Sequence, residues 1–152
     1  MIDLPLIRPV HSSFEACTAG FTTRAGGVSG ASYKNLNLGF STGDSVLSVT
    51  ENHRRLLYSL GFGPGSVARM GQVHGNHIEV VCHGGEYPST DALVTLTPGL
   101  LLTVSTADCV PVLLYDTVRH VAAAVHCGWR PLTAGILEKT LTVMAECADS
   151  EP

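Results

Sequence analysis

The chain has 152 residues, 45% of them hydrophobic, with a mean hydropathy of +0.24, which suits one globular domain with its own core and excludes a disordered segment. A formal net charge of −4 without any Lys/Arg cluster argues against nucleic acid or an anionic membrane as main partner. No apolar run approaches the about 20 residues that span a bilayer, and the opening MIDLPLIRPV lacks a basic segment followed by an apolar one, so no secretory signal is expected.

In chain order, the Cys17-to-Phe21 stretch has strand character. It runs into TTRAGGVSGASYKNLNLG (22–39), a long Gly-rich loop of the kind that carries function in compact domains. Asp44 to Leu60 predicts a helix with Val46, Val49, His53, Leu56, Leu57 and Leu60 on one face. Ser48 and Glu51 have the spacing of a capping box, and Gly61 suits a C-cap. Short strands are predicted at Val67–Val73, Ile78–Cys82, Asp91–Thr95, Leu100–Ser105, Val112–Tyr115 and Val118–His126. A last helix begins near Leu132, with Leu132, Ile136, Leu137, Leu141 and Met144 on one side and Pro131 in its first turn, where a missing N–H costs nothing. Helix, strands, helix in that order predict a layered α/β (α+β) sandwich with mixed sheets, expected as a single domain over 1–152.

Five cysteines, an odd number at wide spacings, disfavour a disulfide framework; without a CxxC pair a zinc ribbon is excluded, and a reducing, cytoplasmic setting is expected. In the strand ending VHCGWR, alternation puts Val121, Ala123 and Val125 on one face and Ala122, Ala124 and His126 on the other. Cys127 falls with the valines, so the adjacent His126 and Cys127 point apart. His126 then needs partners from elsewhere. His74, beside Gly75, and Cys109, just before Pro111, also sit at predicted strand ends beside turn-forming residues. Two His and one Cys suit zinc with an open fourth position, as in sites that activate water, although their intervals match no local zinc pattern. The ordinary alternative is packing. Cys17, Cys82 and Cys147 read as small buried hydrophobes, and His11, His53, His77, His83 and His120 as packing or solvent-facing residues. Arg24 before Gly26-Gly27, and Arg130 at the start of the last helix, are candidate anion holders, each with a surface salt bridge as the plainer reading.

The stretches FTTRAGGVSGASYKNLNLG, GQVHGNHIEVV, TDALVT, STADCVPVLLYD and VHCGWRPLTAGILEKTL, in this order over roughly residues 20–142, resemble the YfiH-like, or laccase-domain, family, also described as purine nucleoside phosphorylases. The resemblance implies that His74, Cys109 and His126 ligate zinc. It implies a layered fold with mixed sheets, related to that of cytotoxic necrotizing factors. It also implies phosphorolysis of purine nucleosides (adenosine, inosine, guanosine and methylthioadenosine) and adenosine deamination, with purine nucleosides and phosphate as partners and Arg24 or Arg130 holding phosphate. A copper-dependent phenol oxidation is ascribed to the family as well. Seven His and no His-x-His do not supply a multicopper centre, so copper enters only as a substitute for zinc. Other readings stay open: a cysteine hydrolase or deamidase with Cys109 as nucleophile and His126 or His74 as base, or a nucleoside-binding or interaction protein with weak or no catalysis. This chain departs from the family's His-Ala-Gly-Trp-Arg-Gly at Cys127 and Pro131. The family also continues beyond this length, so part of the substrate pocket is expected to be missing and a second copy or another partner to cover exposed apolar surface. Roles for Asn35, Asn37, Gln72 and Asp108, which crowd the same motifs, are left unassigned.

Overall fold

The computed structural model describes residues 4–8 and 17–149. They divide into two compact units, one holding Thr18–Pro64 and the other Gly65 onward. His11 lies outside the described residues.

In the N-terminal unit, β1 (Leu6–Ile7) pairs antiparallel with β2 (Phe21–Thr22). The strand expected from Cys17 is thus shorter and later. The helix α1 spans Val46–Leu60. Gly61 ends it in the left-handed region at φ 77°, and the Phe62 N–H returns to the Leu57 carbonyl, as a glycine C-cap should. The expected capping box does not form: Ser48 already lies inside α1, and Glu51 instead binds Arg54 and Arg55. Val46, expected on the buried face, is exposed, while Asn52 is fully buried. The reason is local. The Asn52 amide accepts from the Val28 N–H and donates to Ser29 Oγ and to the Asn35 and Asn37 carbonyls. A buried amide with its groups paired is tolerated where an unpaired one is not. The Gly-rich loop is therefore fastened to α1 by Asn52 at its centre, with Arg55 donating to the Gly26 carbonyl and His53 Nε2 meeting the Leu38 carbonyl at its flanks. Leu4, Leu36 and Leu56 form the apolar core of this unit.

The second unit is layered from a parallel sheet, a mixed sheet and a helix. A parallel sheet has the order β5-β3-β7, from β3 (Val67–Gly71), β5 (Gly85–Pro88) and β7 (Leu101–Thr103). A second sheet has the order β4-β6-β9-β8, from β4 (Ile78–Val80), β6 (Ala92–Thr95), β8 (Val110–Tyr115) and β9 (Ala122–Cys127). In it β4 runs parallel to β6, whereas β6 and β8 run antiparallel to β9. Strand β5 was not foreseen, because Gly-Glu-Tyr-Pro has neither alternation nor β-branched residues. The expected strand Val118–His126 begins only at Ala122, because Asp116 Oδ1 accepts the Val118 and Arg119 N–H groups and makes a turn there.

The period-2 rule decides which residues meet which layer. Ala123, Val125 and Cys127 of β9 pack with Ala92 and Val94 against Ile136 and Met144 of α3 (Ile136–Asp149). On the opposite face, Leu93 and Val81 meet Ala68 of the parallel sheet. The last helix is split in two. The short α2 (Trp129–Thr133) ends before Gly135, whose φ of 75° breaks the run ahead of α3. Leu132 is therefore off the α3 face and exposed; Leu141 is exposed too, and Thr140 takes the buried position between Ile136 and Met144. Its hydroxyl is satisfied by the Ile136 carbonyl at 2.7 Å.

Candidate metal centre

Four chain segments converge at one end of the second unit. His74 lies in the loop after β3. Asp91 immediately precedes β6, Cys109 immediately precedes β8, and His126 is the penultimate residue of β9. Antiparallel pairing sets Val110 opposite Cys127 and Pro111 opposite His126, which carries the start of β8 to the end of β9. One ligating atom each from His74, Cys109 and His126 lies within 4.8 Å of the other two. Cys109 Sγ is 3.8 Å from His74 Nε2. The two imidazoles meet edge to face, 4.7 Å between ring centres. Burial is graded: His126 is 3% exposed, Cys109 is half-buried and His74 faces solvent.

Asp91 stands behind these three. It is fully buried, and its Oδ1 is 2.8 Å from His126 Nδ1. The same oxygen accepts the His74 N–H at 3.0 Å, while Oδ2 accepts the N–H groups of Val73 (3.3 Å) and Gly75 (2.8 Å). Burial alone would raise its carboxyl pKa. The hydrogen bonds from His126 and the three backbone N–H groups outweigh that and hold it below the ordinary value, as donors to a carboxylate do. The imidazole–carboxylate contact takes Nδ1 and leaves Nε2 of His126 as the nitrogen for a ligand. Sequence reasoning did not pick out Asp91; its only signal was an acidic residue opening the buried run DALVT.

The space at the centre depends on Gly128. A Cβ there would lie 3.1 Å from Cys109 Sγ and 3.1 Å from His74 Cδ2. Gln72 ties the Cys109 loop down: its side-chain amide donates to the Ser105 carbonyl and accepts the Ser105 N–H, both at 2.8 Å. Partial burial, then the neighbouring Asp108 carboxylate, push the Cys109 thiol above its usual pKa. Cys127 is buried with Ala92, Val125 and Ile136, on the far side of β9 from His126. Arg130 sits with its guanidinium carbon 4.9 Å above the Trp129 ring, and both are exposed. Arg24 belongs to the N-terminal unit, where its Nε donates to the Lys34 carbonyl. Asn35 and Asn37 serve the loop around it, the latter through Thr42 and Asp44.

As a donor set, one thiol and two imidazoles fit a borderline-soft ion such as zinc, and copper as well. It is the one such His/Cys/Asp/Glu group among the described residues.

A family model described as multi-copper polyphenol oxidoreductase laccase matches residues 18–152. A purine nucleoside phosphorylase of Streptomyces coelicolor is 48% identical over 84% of this chain and 54% of its own length. One of Deinococcus radiodurans is 43% identical over 93% of this chain and 54% of its own. The Shigella flexneri purine nucleoside phosphorylase YfiH is 41% identical over 91% and 56%. Among solved structures, the Bacillus licheniformis hypothetical protein YfiH superposes with a TM-score of 0.84 at 28% identity, over 99% of this chain and 58% of that one. YlmD of Geobacillus stearothermophilus superposes with a TM-score of 0.83 at 29% identity, over 91% and 55%. The chain thus spans about half the length of the relatives it matches.

Proposed function

The chain belongs to this laccase-like, YfiH family, and from that premise we propose that it is a zinc-dependent purine nucleoside phosphorylase with adenosine deaminase activity. The observation that carries the reading is the His74–Cys109–His126 cluster backed by Asp91, in a chain 41–48% identical to proteins named purine nucleoside phosphorylases. His74, Cys109 and His126 hold the ion. When bound it supplies Lewis acidity and activates water. Asp91 keeps the His126 ring turned so that Nε2 faces the ligand, and Gly128 leaves the ligands room to approach. Phosphorolysis also needs a bound phosphate, and we assign that task to Arg24 with its Gly26-Gly27 loop or, as the alternative, to Arg130, each within its own unit. At Arg130 the charge itself must serve, because α2 is only five residues long.

The test is phosphate-dependent release of adenine from adenosine and of hypoxanthine from inosine, with and without a chelator. Release that requires both phosphate and metal supports the proposal. Release indifferent to phosphate overturns it. Arg24→Ala should raise the phosphate KM; an unchanged value removes Arg24 from that role. Deamination is read separately, as inosine formed from adenosine without phosphate. Metal analysis distinguishes zinc from copper, and one donor group among the described residues, in a sequence with no His-x-His, supports a lone ion over a multicopper oxidase.

The 3.8 Å contact of Cys109 with His74 also fits a cysteine hydrolase. The raised thiol pKa weighs against it, because the thiolate is the nucleophile. Activity that survives chelation and dies with a thiol alkylator would favour that second reading. Metal uptake without turnover of adenosine or inosine would favour a nucleoside-binding role.

A further inference from the structure

The loop around His74 contains a backbone conformation that needs support. His74 has φ 59°, in the left-handed region, and no glycine stands there to relieve it. Such a residue persists when its surroundings over-determine it. Here three successive N–H groups, of Val73, His74 and Gly75, point at one carboxylate. This is a backbone nest around an anion, and the anion is the protein's own Asp91. The same carboxylate holds His126 Nδ1 at 2.8 Å. One fully buried group therefore fixes the chain that carries one candidate ligand and the ring of another, on separate elements.

We propose that Asp91 is a positioning residue that sets the metal affinity of this centre by two actions: it folds the His74 loop, and it imposes the Nδ1–H tautomer on His126. The inference rests on the metal reading given above. It makes a particular prediction for Asp91→Asn, which keeps the shape and exchanges one acceptor for a donor. If the new NH2 takes the Oδ2 place, it faces two N–H donors, those of Val73 and Gly75. If it takes the Oδ1 place, it faces only the His74 N–H, provided that His126 Nδ1 turns acceptor. The second arrangement opposes fewer donors, so it wins. The proton then moves to Nε2 of His126, the nitrogen needed for the ion, so that binding must displace it and is weakened.

Two measurements test this. The first is 15N NMR of the imidazoles in metal-free protein: His126 is expected as the Nδ1–H tautomer in the natural chain and as Nε2–H in Asp91→Asn. The second is zinc affinity by competition with a chromophoric chelator, expected to fall about 10- to 100-fold in Asp91→Asn, as for other groups that orient a metal-binding histidine. The variant's near-native circular dichroism serves as the folding control. A folded Asp91→Asn with natural zinc affinity overturns the proposal. Should the variant not fold, the natural chain still decides, because an Nε2–H His126 there overturns it equally. A natural chain with Nδ1–H His126 that takes up no zinc upholds the hold of Asp91 on the ring and overturns the metal reading instead.

Discussion

At the scale of single residues, Cys109 and His74 can close over position 128 because it has no side chain. A Cβ at Gly128 would press on Cys109 Sγ and His74 Cδ2 at 3.1 Å each. Gly128→Ala should therefore cost roughly 1–3 kcal/mol in stability, as overpacking does, and weaken metal uptake; thermal melts and chelator competition check both. A variant with natural melting and affinity would mean that the ligands have slack. Cys109 gives a second expectation. With its thiol pushed up by burial and by Asp108, iodoacetamide at neutral pH should modify it more slowly than the exposed Cys82 in metal-free protein, as peptide mass spectrometry would show. Cys109 as the fastest site would revive the nucleophile reading. His74, Cys109 and His126 were legible as strand-end residues next to turns, and the fold gathers their ligating atoms within 4.8 Å. Asp91 was not legible: an acidic residue at the edge of an apolar run is the usual sign of a solvent-facing turn, and only the pairing of β6 with β9 puts it beneath His126.

At the scale of elements, α1 owes its register to a polar residue. The Asn52 amide joins four points of the 28–37 loop. Asn52→Ala should cost about 2–3 kcal/mol by leaving buried groups unpaired, and hydrogen exchange at Val28 should accelerate. Unchanged protection of Val28 would contradict this. Glu51 is held by Arg54 and Arg55, which take its carboxyl from 4.5 to about 2. A carboxyl lowered by folding stabilises above its unfolded pKa, and that contribution is lost as pH falls through the folded one. Glu51→Gln should therefore flatten the pH dependence of stability between about 4.5 and about 2, as acid titration followed by circular dichroism would show. Hydrophobic period located α1 and the strands with alternating or β-branched runs. It could not find β5, whose Gly-Glu-Tyr-Pro carries no strand pattern of its own yet pairs with β3, setting Glu86 beside Arg69 at 3.3 Å. It also misplaced Val46 and Leu141, because two core positions on these helices belong to Asn52 and Thr140, whose hydroxyl and amide are satisfied internally.

At the scale of the whole molecule, the layered fold with mixed sheets was readable from the order of elements, since an amphipathic helix and buried strands have few ways to cover one another. The second unit confirms that arrangement, with β9 between α3 and the parallel sheet. Among its described residues Val110, Trp129, Leu132 and Leu141 are exposed, Trp129 at 70%. The expectation that a second copy or another partner covers apolar surface is tested by light scattering after size-exclusion chromatography: self-association at micromolar concentration supports it, and a clean monomer counts against it. No helix of the described residues is long and apolar enough to cross a membrane. The claim on which the functional account stands is that His74, Cys109 and His126 make one metal site. Elemental analysis of the purified chain beside His74→Ala, Cys109→Ala and His126→Ala puts it to the proof: about one zinc per natural chain and a large loss in each variant are predicted. A natural chain without stoichiometric metal, or folded variants that keep it, would contradict the account.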